Sequence, residues 1–136
     1  MRASGRLLLF AALAMSGGCA DAGPDRDATE SGRRYTEWFY GQDFDRLWAR
    51  FSPEMKRTFP TAAELARFAG ETVTELGAEQ GDVEEQVSRQ DTVTVYSRTA
   101  SFARSRERML VEWTLGRDGS VTGFVIRPAR DTAGTS

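Results

Sequence analysis

The hydrophobic period of this chain changes once, near Gly77, and that change restricts the fold more than any other feature. Apolar side chains at three- and four-residue spacing build one face of a helix; apolar side chains at every second residue build one face of a strand. Tyr35, Trp38 and Phe39 follow the helical spacing, and Gly41 stands where a C-cap glycine belongs. Asp43 is placed to cap a second segment carrying Phe44, Leu47, Trp48 and Phe51 on one face. Ser52-Pro53 suits the start of a short turn that Pro60 ends. Thr61-Ala62-Ala63-Glu64 is a capping box that opens a third helix, with Leu65, Phe68, Ala69, Thr72 and Leu76 on one face. Beyond Gly77 the period is two. Val83, Glu85 and Val87 alternate with polar neighbours, and residues 92–103 are rich in β-branched and aromatic types. Met109, Val111, Trp113 and Leu115 share a face, and Gly116-Arg117-Asp118-Gly119 turns the chain into residues 120–127. The expectation is an α+β domain, three N-terminal helices packed on one face of an antiparallel sheet of about four strands.

Length and composition narrow the chemistry. At 136 residues the chain holds one domain, and 40% apolar residues supply a core. With no His there is no Ser-His-Asp triad and no His-ligated metal, and one Cys excludes an internal disulfide and a Cys-based zinc cluster. No metal-ligand spacing or phosphate loop is present, so no cofactor is expected. A formal charge of −2 gives no reason to expect nucleic acid as a partner.

The first eighteen residues read as an export signal, with Arg2 and Arg6 ahead of the apolar run Leu7–Met15. That run is too short to span a bilayer, which takes about 20 helical residues. It ends in Ser16-Gly17-Gly18-Cys19, which resembles the lipobox of bacterial lipoproteins, with Ser16 where that family usually has Leu. By this resemblance residues 1–18 are removed and Cys19 becomes the acylated first residue. Ala20 in place of Asp after it favours the outer membrane in a Gram-negative source. Ala20-Asp21-Ala22 offers the alternative of ordinary A-x-A cleavage and a soluble secreted product. Residues 19–28 then form the acylated Cys and a polar tether, 29–128 the folded domain, and 129–136 an expected disordered tail.

The helix–Gly-x-Asp-Phe–helix stretch YTEWFYGQDFDRLW at 35–48 and the closing DGSVTGFVIRP at 118–128 resemble the nuclear transport factor 2-like, or ketosteroid isomerase-like, superfamily, in its bacterial secreted branch. The resemblance covers residues 33–128 and implies a curved, cone-shaped sheet with a pocket between sheet and helices. It makes Tyr35, Trp38, Trp48, Phe51, Trp113 and Phe124 the residues to line that pocket around a small apolar ligand, or to fill it as ordinary core. Enzymes of the superfamily use an acid or base inside the cone. Glu112 is the carboxylate with an arguable position and Tyr96 a hydroxyl donor, yet strand alternation turns Glu112 away from Val111 and Trp113, toward solvent or a neighbouring Arg such as Arg98. Glu84-Glu85 and Arg104–Arg108 read as charged strand ends that block edge pairing. The expected function is a lipid-anchored, non-catalytic envelope domain that binds a small molecule or a protein. The alternatives are a small secreted carboxylate enzyme of isomerase or cyclase type and a homodimeric interaction module joined through the sheet.

Overall fold

A computed structural model describes residues 24–130. Cys19, the segment read as an export signal and residues 131–136 lie outside the described residues. Four helices come first, α1 (Pro24–Tyr40), α2 (Phe44–Ala49), α3 (Pro53–Thr58) and α4 (Ala62–Leu76). Four strands follow, β1 (Glu79–Gln90), β2 (Val93–Phe102), β3 (Met109–Leu115) and β4 (Val121–Pro128). The strands form one curved antiparallel sheet in the order β1-β2-β3-β4, not closed into a barrel. The expected α+β class and strand number hold. The helix count rises from three to four, because the turn expected after Pro53 is a short helix.

Helix ends follow local chemistry, with two departures. Ser52 Oγ accepts from Met55 N at 3.3 Å and Thr61 Oγ1 from Glu64 N at 3.2 Å, capping α3 and α4. Gly77 closes α4 at φ 71°. At the end of α1, however, the left-handed residue is Gln42 at φ 59°, not Gly41. Asp43 N reaches back to Trp38 O (2.8 Å) and Gln42 N to Phe39 O (3.3 Å), the paired bonds of a Schellman turn that puts its left-handed position one residue later. Asp43 in turn accepts no capping bond, and its carboxylate pairs with Arg46 at 3.3 Å. The domain also begins earlier than expected. Residues 24–28, read as tether, are helical, and Ala28 is buried in the core.

Cross-strand register aligns side chains in rows on the face toward the helices. Val87, Tyr96, Trp113 and Phe124 form one row; Glu85, Arg98, Val111 and Ile126 form the next. From α4, Leu65, Ala69 and Leu76 are buried, while Phe68, at the margin of the apolar stripe, is 48% exposed with its ring 5.4 Å from Phe59.

Helix α1 lies on the sheet at very short range. A Cβ at Gly32 would overlap the ring carbons of Tyr96, so this helical position accepts only hydrogen. The contact lets Trp113 Nε1 donate to Thr36 Oγ1 (2.9 Å), which donates to Gly32 O (2.7 Å), in a buried relay. One residue before Thr36, Tyr35 Oη donates to Gly119 O at 2.6 Å.

Alanine normally stabilises a helix interior relative to glycine, by about 0.5–1 kcal/mol. Gly32→Ala should do the reverse and destabilise the domain by about 1–3 kcal/mol, because the added methyl must displace Tyr96 or the whole helix. Gly70→Ala in α4, where nothing lies within 4 Å of the new atom, should follow the ordinary rule. Thermal melts of the two variants beside the parent check the contrast.

Candidate functional site

The charged residues of the inner face gather where α1 crosses β1 and β2. Glu85 leaves β1 toward the helices, in the apolar phase of the strand. Its carboxylate accepts from Arg33 Nε (2.9 Å) and Nη2 (2.5 Å), from Tyr96 Oη (2.6 Å) and from Arg98 Nη1 (3.0 Å). Arg98 also holds Glu79, Nη2 to Oε1 at 2.5 Å and Nε to Oε2 at 3.0 Å, in a bidentate pair. Arg98 stands opposite Val111, so register alone puts it on the helix side. Next to this network lies a cleft of about 260 Å³ lined by Arg33, Thr36, Glu37, Tyr40, Glu79 and Arg98. The Tyr40 hydroxyl is buried there with no hydrogen-bond partner among the described residues.

Electrostatics follow from these bonds. The Arg33 hydrogen bond holds the Glu85 carboxyl down to about 2, helped by Tyr96 and by the charges of Arg33 and Arg98, against the opposing effect of burial. Burial pushes the Tyr96 phenol up to about 12, reinforced by its bond to Glu85. Burial likewise raises Tyr40, and the Glu79 bond raises Arg98. Glu85 is therefore ionised and fully committed near neutral pH, and the Tyr96 proton is committed to it. A group in this state neither takes nor gives a proton at the pH where general acid–base catalysis operates.

The six aromatics named from sequence occupy the interior and its margins. Trp113 is fully buried, with ring centroids 4.4 Å from Phe124 and 5.9 Å from Tyr35; Trp38 lies 5.8 Å from Tyr35. Phe39, which the sequence placed on the helical stripe, sits among them, 5.0 Å from Phe124 and 6.1 Å from Trp113. Trp48 and Phe51 are apart from this group. Trp48 donates Nε1 to Phe59 O at 2.8 Å under Lys56, and Phe51 is buried beside Val121, where the two residues bridge. Rings thus pack on rings between sheet and helices.

No family model, curated protein or solved structure matches this chain. The site is thus argued from its own geometry. Glu112 does turn away from the helices, but its partner is Ser97, whose Oγ donates to it at 3.1 Å. The expected partner Arg98 is on the opposite face. Tyr96 does donate a hydroxyl to a carboxylate, and that carboxylate is Glu85. Reading Glu84-Glu85 together as strand-end charges missed it: Glu84 is on the outer side, with a side chain 69% exposed, whereas Glu85 is 21% exposed. The signal was the alternation itself, since Glu85 falls between Val83 and Val87.

A carboxyl held below its ordinary value of 4.5 contributes stability that is fully present above that value and is lost as pH falls toward about 2. Glu85→Gln should cost about 1–3 kcal/mol at pH 7, leaving Arg33 and Arg98 short of an acceptor. The gap to the parent should close between pH 4.5 and 2, as read in melts across that range.

Proposed function

We propose that this chain is an exported, lipid-anchored domain of the nuclear transport factor 2-like type that works at the cell envelope by binding and not by catalysis. The Gly17-Gly18-Cys19 end of the apolar signal is the observation that carries the anchor. Two acyl chains or more hold a protein on a bilayer, because each buried methylene contributes about 0.8 kcal/mol. Helix α1 begins at Pro24, so few residues separate Cys19 from the folded domain, which keeps the domain close against the membrane surface. In a Gram-negative source that surface is the periplasmic face of the outer membrane.

The non-catalytic reading is supported by the state of the inner face. The carboxylate with a tyrosine partner is saturated by two guanidinium groups, and no His exists to replace it. The packing of rings against rings supports binding at the surface of the domain over capture of an apolar ligand inside. A second reading, a homodimer through the sheet, draws on the outer face. There Glu84 on β1 and Arg127 on β4 belong to one cross-strand row, and Val125 nearby is 42% exposed. A two-fold axis through the sheet would set each acid opposite a base.

Native mass spectrometry of the exported protein tests both. The expected mass begins at Cys19 and includes its acyl groups, and Cys19→Ala should abolish fatty-acid labelling and membrane fractionation. A soluble product starting after Ala22 would defeat the anchor. A monomeric mass would defeat the dimer.

A further inference from the structure

The start of α1, the Asp91-Thr92 turn and the Gly116–Ser120 turn close around a cleft of about 480 Å³. Three carboxylates, Asp27, Asp91 and Asp118, and three guanidinium groups, Arg50, Arg89 and Arg117, line it. Arg50 is held in place from behind. Its Nε donates to Tyr35 Oη at 3.3 Å; that hydroxyl donates to Gly119 O at 2.6 Å; and Tyr35 itself is 2% exposed. One edge of the guanidinium is thus used by the fold, and its terminal nitrogens make no hydrogen bond among the described residues. Asp27, Asp91 and Arg117 likewise have no side-chain partner among the described residues.

Asp118 is already taken by Ser120 N (3.0 Å) and Ser120 Oγ (2.6 Å), and Arg89 has an interaction of its own, so two carboxylates, Asp27 and Asp91, and two guanidinium groups, Arg50 and Arg117, remain to face the space. That set does not suit a simple anion, which the carboxylates repel, or a simple cation, which the arginines repel. It suits a molecule that carries both signs. We propose that this cleft binds a small zwitterion bearing a primary ammonium and a phosphate or carboxylate, the chemistry shared by an ethanolamine phospholipid head group and a free amino acid. The ammonium donates to Asp27 and Asp91, and the anionic group accepts from Arg50 and Arg117. Position favours the lipid, and this part alone rests on the anchor reading. Cys19 precedes Pro24 by five residues, so the acylated end reaches at most about 18 Å from the start of α1, which forms one rim of the cleft.

The mature chain carrying Cys19→Ser, titrated with O-phosphoethanolamine and followed by amide NMR, should show shifts confined to residues 27–31, 50, 89–94 and 115–119, the lining of the cleft. Inorganic phosphate and ethanolamine, added separately, should bind at least about tenfold more weakly. Arg117→Gln and Asp91→Asn, both on exposed turns, should each weaken binding about fivefold or more with an unchanged Tm. Flotation with phosphatidylethanolamine vesicles but not phosphatidylglycerol vesicles assigns the head group. Binding of glycine and O-phosphoethanolamine without flotation assigns a free zwitterion and leaves the anchor untouched, since acylation of Cys19 is read separately by mass. Absence of shifts at about 10 mM ligand, or phosphate binding as well as O-phosphoethanolamine, overturns the proposal.

Discussion

The contact between Gly32 and the Tyr96 ring sets the spacing of the whole domain. A helix laid on a sheet is normally held off by its own side chains, at about 10 Å between layers. At Gly32 no side chain intervenes, and the ring of Tyr96 meets the backbone of α1 directly. This close approach puts Thr36 within reach of the Trp113 indole and Tyr35 within reach of the Gly119 carbonyl. It also carries Arg33, one residue further on, to Glu85. The aromatic packing, the tied turn and the charged network are thus consequences of one missing Cβ.

Beside that contact the inner face divides into an aromatic half and a charged half, one row of the sheet apart. Tyr96 belongs to both, with its ring under α1 and its hydroxyl on Glu85. Glu85, Glu79 and Arg98, largely withdrawn from water, compensate one another as such groups must, and the more exposed Arg33 closes the network from α1. Such a network fixes the register of β1 against β2 and the rotation of α1 above them, since a slip in either would leave a charge unmatched. A carboxylate and tyrosine side by side have the outline of an acid–base pair. Their bonding suits cohesion, because strong opposite charges lock both protonation states.

Function is therefore sought where Asp27, Asp91, Arg117 and the outer edge of Arg50 stand clear of such a network. Those positions lie at the rim formed by the two hairpin turns and the start of α1, the end of the domain nearest Cys19 in the chain. The interior secures the scaffold, and the turns present side chains from it. This division is common where binding residues sit on loops positioned by a rigid body.

Much of the fold was legible in the residues. The single change of period fixed the order of helices and strands; Thr61, Ser52 and Gly77 marked helix ends through local hydrogen bonding and φ; and the Gly116–Gly119 turn marked the last hairpin. These features depend on neighbours in sequence, so sequence carries them. Gln42 in place of Gly41, the unused cap at Asp43 and the earlier start of α1 were not legible, because local preferences there are weaker than the packing that decides them. The candidate site was half legible: alternation located Glu112 on the outer face and also put Glu85 on the inner one. The partners of Arg98, the closeness of Gly32 to Tyr96 and the convergence of Arg50, Asp91 and Arg117 depend on residues from different strands and helices. Sequence alone determined the elements and their apolar faces. Only the tertiary structure decided which charges meet, because pairing across a sheet and against a helix is set by register and distance, and neither is written in any one segment.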